Sequence, residues 1–167
     1  MATTKKYELV KDDTVTTPDG RTLFRIRALV AIAAIGVSAG DLGGYVESEN
    51  NLSQVYGDAQ VYGNAWVSGN AQVYGNAQVY GNARVSDDAD VMWFSHVGSE
   101  QGTLTAKRSK DGDILISRGC FLGTIAEFEA AVDERHGNSK VGQEYQLLIQ
   151  FIRLRMGDAL SKEAAAA

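Results

Sequence analysis

AQVYGNAWVSGNAQVYGNAQVYGNARVSDDADV occupies residues 59–91, and its six-residue period decides the fold. Valine recurs at Val55, Val61, Val67, Val73, Val79, Val85, Val91 and Val97, and alanine at Ala59, Ala65, Ala71, Ala77, Ala83 and Ala89. A fixed short period marks a stacked repeat and takes precedence over local propensity. Within each hexad, Ala, an outward residue, Val and a second outward residue make a short strand with alternating sides. Gly with Asn or Asp then turns the chain, because both tolerate the left-handed backbone of a corner. The periodic valines are therefore expected inside.

The outward residues carry a longer period. In threes, the strands read AQVY, AWVS, AQVY from residue 59 and AQVY, ARVS, ADVM from residue 77. Like strands lie eighteen residues apart, so one coil has three strands and like faces stack. Tyr62 is expected over Tyr80, Ser68 over Ser86, and Trp66 over Arg84 as a cation–π pair. The expected fold is mainly β: a short parallel β-helix over 54–97, with a β hairpin and cap over 1–53. A small α+β module, a hairpin plus two helices, follows over 98–157, and 158–167 reads as a tail, either disordered or added. Val46 and Leu52 are six apart but out of phase with Val55, which predicts an irregular first coil.

Hexads of this kind resemble the left-handed parallel β-helix of the hexapeptide-repeat superfamily, whose members usually form threefold homotrimers. This chain places Tyr at the second and Gly at the third hexad position, a departure from that superfamily. The combination of GDLGGYVESENNLS (40–53), VYGNA-type hexads and GCFLGTIAEFE (119–129) is similar to a group of phage and prophage hexapeptide-repeat proteins of undefined function. The resemblance implies a left-handed coil, self-association as a homotrimer or higher oligomer, and the cytoplasm of a bacterial host.

Outside the coil, Thr17-Pro18-Asp19-Gly20 predicts a turn between strands at about 14–17 and 21–28. The run 28–35 fits either a buried strand or a short helix. Lys110-Asp111-Gly112 predicts a hairpin between strands 103–108 and 113–118. Thr124 and Glu127 form a capping box, which opens a helix over about 125–136 with Ile125, Phe128 and Val132 inward. A second helix is expected over about 140–156. It has one apolar face of Tyr145, Leu148, Ile152 and Met156 and another of Leu147, Phe151 and Leu154.

Composition narrows the function. The net charge of −5 over 167 residues argues against a broad DNA-binding surface. The single cysteine, Cys120, excludes an intrachain disulfide and suits a reducing cytoplasm. Residues 1–13 are polar and carry no signal-peptide pattern, and the apolar run 28–37 is too short to span a bilayer. Two histidines cannot supply a three-histidine zinc site, and the glycines belong to corners rather than phosphate loops, so no cofactor is expected.

Three functional readings remain. The first is a non-enzymatic oligomer that captures a small anionic, nucleotide-like ligand in pockets between subunits. Its candidate contacts are Arg25, Arg27, Trp66, Arg84, His96, Ser99, Thr103, Thr105, Arg108, Arg118 and Cys120, because Arg grips phosphate and aromatic rings stack on bases. The second, implied by the hexapeptide-repeat resemblance, is a CoA-dependent acyltransferase with His96 as base, placed above Gln78 and Gln60. The third is a trimerising stalk that binds a host or virion protein. His136 is expected at a helix C-terminus, Cys120 as a small core residue, and Lys107 and Lys110 as solvated charges on a hairpin edge.

Overall fold

The computed structural model describes residues 5–55 and 57–157. Tyr56 and the expected tail, 158–167, lie outside the described residues. In the N-terminal part, β1 (Tyr7–Thr16) and β2 (Thr22–Ala28) form an antiparallel hairpin. Its turn is closed by Gly20 N–H on the Thr17 carbonyl and by Arg21 N–H on Thr17 Oγ1, both at 2.9 Å. Beyond Ala28, which ends β2, the 28–35 run is neither buried strand nor α-helix; it is a loop with one 3-10 turn at Ala33–Ile35.

The hexads stack as their period predicts. β4 (Gln60–Val61) pairs in parallel with β6 (Gln78–Val79), and β5 (Trp66–Val67) with β7 (Arg84–Val85), each eighteen residues on. β3 (Leu42–Val46) joins β2 antiparallel and β5 parallel, so the hairpin continues one face of the coil in the order β1-β2-β3-β5-β7. Val67, Val73, Val79 and Val85, with Ala65, Ala71, Ala77 and Ala83, are at most 1% exposed and fill the interior. Burial of each such valine contributes about 1.5–3 kcal/mol.

Two periodic valines depart from the expected interior. Val55 is 52% exposed, and Leu52 takes its place by bridging to Val73, twenty-one residues on. The N-terminal strand holds this offset. The Tyr7 hydroxyl donates to the Leu52 carbonyl at 2.7 Å, and the Gln54 side chain accepts from Lys6 N at 2.8 Å and Tyr7 N at 3.2 Å. At the other end, Asp88–Asp90 form a 3-10 turn capped by Asp87 rather than a third strand. Val91 still enters the coil core, but Val97 packs in a second, C-terminal core.

That core belongs to an antiparallel sheet of order β11-β10-β9-β8, built from β8 (Val91–Val97), β9 (Gly102–Arg108), β10 (Ile114–Arg118) and β11 (Phe121–Thr124). Helices α1 (Ile125–His136) and α2 (Lys140–Met156) follow. Thr124 Oγ1 accepts from Glu127 N at 3.2 Å, and Glu127 accepts from Thr124 N at 2.7 Å. The Thr124 N–H, with the Thr124 hydroxyl donating at 3.0 Å, holds the Glu127 carboxyl below its usual value. The helices bury Phe128, Ile149 and Ile152 with Leu104, Ala106 and Ile116 of the sheet. The opposite sheet face, which carries Thr105, Lys107 and Ser117, meets the last rung of the coil.

Candidate functional site

The coil's distinctive face forms a row across the sheet: Arg25 pairs with Tyr45, Tyr45 with Trp66, and Trp66 with Arg84. Cations cap both ends of the row. The Arg25 guanidinium carbon lies 4.2 Å from the centre of the Tyr45 ring, and that of Arg84 lies 3.8 Å from the centre of the Trp66 ring. The two cations differ in what surrounds them. Arg25 is committed to Asp13 at 3.1 Å, the Gly43 carbonyl at 2.9 Å and the Tyr45 hydroxyl at 2.7 Å. Arg84 donates through Nη1 to the carbonyls of Asn64 at 2.8 Å and Ala83 at 2.9 Å. Among the described residues it has no carboxylate partner, and burial draws its guanidinium below the usual value.

Arg84 and Trp66 form one wall of a cleft of about 480 Å³. The hairpin turn at Thr17 and Asp19, the hydroxyls of Ser68 and Ser86, and Lys110 complete it. Lys110 is brought there by backbone contacts: Lys110 N donates to the Asn82 carbonyl at 3.2 Å, beside a bridge between Ala83 and Ser109. Beneath the hairpin turn, Arg21 links Asp19 at 2.8 Å to Glu47 at 3.0 Å, and Glu47 accepts Gly69 N–H at 2.7 Å. That N–H, ahead of the Arg21 pair, keeps the Glu47 carboxyl below its usual value.

A second, smaller groove of about 270 Å³ lies on the glutamine face. Thr103 and Arg118 meet Gln60, Gln78, Asn76 and Asp58 there. Arg118 Nη2 donates to the Val97 carbonyl at 2.7 Å, and its Nε is buried with no hydrogen-bond partner. The guanidinium lies against Gly102, where a Cβ would come within 2.5 Å of Nη1. Among the described residues Arg118 has no carboxylate partner either. Arg21, Arg25, Arg27, Arg108 and Arg153 all have one. Arg135 and Arg155 sit exposed in the last turns of α1 and α2, where cations complement the helix dipole.

The sequence candidates thus separate. Trp66 and Arg84 share the larger cleft, while Thr103 and Arg118 share the groove. Arg27 pairs with Glu8 on the hairpin surface. Arg108 holds the end of α2 through the carbonyls of Met156 and Gly157, and also approaches Asp90 at 3.8 Å. Ser99 is exposed in the β8–β9 turn. Cys120 is exposed in the β10–β11 turn, not in the core, because Gly119 and Cys120 form the turn itself. His96 does not sit above Gln78. It lies exposed, with φ of 60°, at an irregularity where β8 pairs antiparallel with β9. Thr105 takes the place above Gln78 and is buried, its Oγ1 accepting Gln78 N–H at 3.1 Å.

The residue missed by sequence reasoning is Lys107. It is fully buried, not a solvated edge charge. Its Nζ donates to Ser117 Oγ at 2.9 Å and to the Gln78 carbonyl at 3.2 Å, and lies 3.8 Å from the centre of the Tyr80 ring. Burial pushes the ammonium down to about 7. The β6 rung has no further strand above it, and an open edge needs its N–H and C=O groups paired. Thr105 accepts from Gln78 N–H and Lys107 donates to its carbonyl, so two side chains replace the next rung. The alternation Thr105, Lys107, Ser109 resembles a solvent face; the coil beneath it leaves no such signal in the sequence.

Residues 53–69, 59–75 and 77–91 match the family described as the YdcK beta solenoid repeat. The repeat region is a β-solenoid. No curated protein matches the chain. The solenoid assignment agrees with the eighteen-residue parallel register, and it concerns the repeats, not the capping hairpin or the helical module. No helix among the described residues is long and apolar enough to cross a membrane, and no group of three or more His, Cys, Asp or Glu among them could hold a metal ion.

Proposed function

We propose that this β-solenoid protein binds and retains a small anionic, nucleotide-like ligand without transforming it, and that the Trp66–Arg84 cleft is the binding site. The observation that carries this reading is the Arg84 guanidinium, its carbon held 3.8 Å from the centre of the Trp66 ring with no carboxylate partner among the described residues. A guanidinium held in this way offers a plane for base stacking and edge donors for phosphate. Lys110 adds a second cation, and Ser68 and Ser86 add hydroxyls, in a volume of about 480 Å³. Pockets of roughly 300–1,000 Å³ suit small ligands. The wider reading rests on the sequence resemblance: a phage protein acting in the bacterial cytoplasm, trimers of left-handed coils, and clefts completed between subunits.

Calorimetric titration with mononucleotides, dinucleotides and cyclic nucleotides tests this proposal. One class is expected to bind and to be recovered intact after denaturation. Arg84→Ala is expected to weaken that class at least tenfold, and Lys110→Ala by a smaller factor. Failure of every nucleotide to bind, or full affinity in Arg84→Ala, would overturn it. His96 lines neither cleft described above, so the geometry lends the acyltransferase reading no comparable support.

The stalk reading is favoured by a different observation. Leu147, Phe151 and Leu154 leave α2 exposed by 67%, 47% and 82%, whereas its Tyr145, Ile149, Ile152 and Met156 face is buried. An exposed apolar stripe of this kind favours self-association. If it joins copies of the chain, Leu154→Asp lowers the mass measured by light scattering from oligomer to monomer while the helical circular dichroism persists. An unchanged mass would remove α2 from the interface.

A further inference from the structure

The glutamine-face groove does not end at the solenoid surface. Ile35 and Gln60 line it, and both also line a larger, mainly apolar cavity of about 480 Å³. That cavity lies at the N-terminal end of the solenoid. Ile26, Leu52 and Val61 form its floor, and the 29–41 loop supplies Ile32, Ile35 and Val37. The loop is pinned by Ile32 N–H on the Val37 carbonyl at 2.8 Å and Val37 N–H on the Ile32 carbonyl at 3.2 Å. The offset first coil belongs to this end: Leu52 enters the floor, while Val55 is turned out.

Along the groove, the carboxamides of Gln60 and Gln78 occupy adjacent rungs. Neither side chain has a hydrogen-bond partner among the described residues. Each offers both a donor and an acceptor, as the two sides of an amide link require. Beyond them lies Arg118, whose guanidinium no described carboxylate neutralises. Asp58 also lines the groove, with its backbone N–H 3.5 Å from Asn76 Oδ1. Its negative charge disfavours an anionic group beside it, and Lys6, the cation lining the cavity, gives its Nζ to the Gly57 carbonyl at 2.7 Å, which leaves Arg118 as the anion's partner.

We propose that the joined cavity and groove form a second ligand site, separate from the Trp66–Arg84 cleft, for an amphipathic acid with an apolar acyl group, an amide link and a terminal carboxylate. The acyl group occupies the cavity among Ile26, Ile35 and Val61, where its methylenes leave water for an apolar wall. The amide lies along Gln60 and Gln78. The carboxylate pairs with Arg118, a charge-assisted contact stronger than a neutral one.

N-octanoylglycine is the probe, titrated calorimetrically, with octanoate (no amide) and N-octanoylglycinamide (no carboxylate) as comparisons. N-octanoylglycine is expected to bind at least tenfold more tightly than either. Arg118→Gln is expected to reduce its affinity at least tenfold but to leave N-octanoylglycinamide unchanged. Ala59→Leu, which adds bulk to the cavity wall, is expected to weaken all three. Should Arg118→Gln fail to fold, Gln78→Glu places a like charge against the carboxylate and is expected to give the same selective loss. The proposal is overturned if the probe does not bind, if octanoate binds as well, or if folded variants retain full affinity. Arg84→Ala leaves this binding unchanged, so failure here and failure of nucleotide capture are separate results.

Discussion

Raising the pH from 7 to 10 is expected to stabilise the protein by about 3 kcal/mol, through Lys107. Burial holds the folded ammonium near 7, and an exposed lysine titrates near 10.4. Between those values the unfolded chain binds one proton more than the folded chain. Stability therefore rises with pH, at most about 1.4 kcal/mol per unit. Below about pH 7 both states hold the proton and this contribution is flat. The Tyr80 ring, the Gln78 carbonyl and Ser117 Oγ all favour the ammonium, but no described carboxylate faces it.

Above pH 10 the direction reverses. Burial, aided by Tyr80, pushes the Tyr62 phenol up to about 12, and burial with Glu49 nearby raises Tyr7. There the folded chain keeps protons that the unfolded chain has lost. Urea unfolding across pH 6 to 11 should give a maximum near 10. Lys107→Met keeps the stem and removes the titrating group, so its profile should be flat from 7 to 10. A flat wild-type profile, or the same rise in the variant, would show that Lys107 is not the source. Lys107→Ala adds a cavity and leaves the Gln78 carbonyl without its donor, and should cost about 3 kcal/mol at pH 10.

Gly57→Ala should cost about 3 kcal/mol, and Gly81→Ala only about 1 kcal/mol. Both glycines follow a tyrosine at a hexad corner, with φ of 65° and 68°. In that left-handed region any other residue carries strain. A Cβ on Gly57 would also lie 2.1 Å from the Gly75 carbonyl oxygen of the next coil, whereas nothing lies within 4 Å at Gly81. Gly75 is backbone in a stacked rung, so relief requires the rungs to part. Thermal unfolding reads the contrast as a loss on the order of 10 °C for Gly57→Ala against a few degrees for Gly81→Ala. Equal losses would mean that left-handed strain alone governs the corners.

The candidate sites show where local sequence information stops. Trp66 over Arg84 was legible, because an eighteen-residue repeat places position 66 beneath position 84 whatever surrounds them. The identity of the uncommitted arginines was not. Arg25 and Arg84 look equivalent in the sequence, yet Asp13 neutralises one and leaves the other facing the cleft. Arg118 and Gln78 come together only because the C-terminal sheet sits on the last rung of the solenoid. Cys120 faces outward and His96 leaves the glutamine column for a related reason: their positions are set by a turn and by an irregular antiparallel strand, not by the hexad register.

The sequence by itself determined the elements whose causes are local. Hexad spacing dictates the coil and its valine–alanine interior, and the Thr124–Glu127 box begins α1 where expected. Gly137 and Ser139 then separate the two helices at the expected place. Each of these depends on residues within one repeat or one turn. Tertiary structure alone decided which faces are covered. Leu52 displaced Val55 because a strand more than forty residues earlier holds it. Lys107 lost its water because the face that carries it closes the solenoid. A polar alternation records which residues share a side of a strand, but not what will be packed against that side.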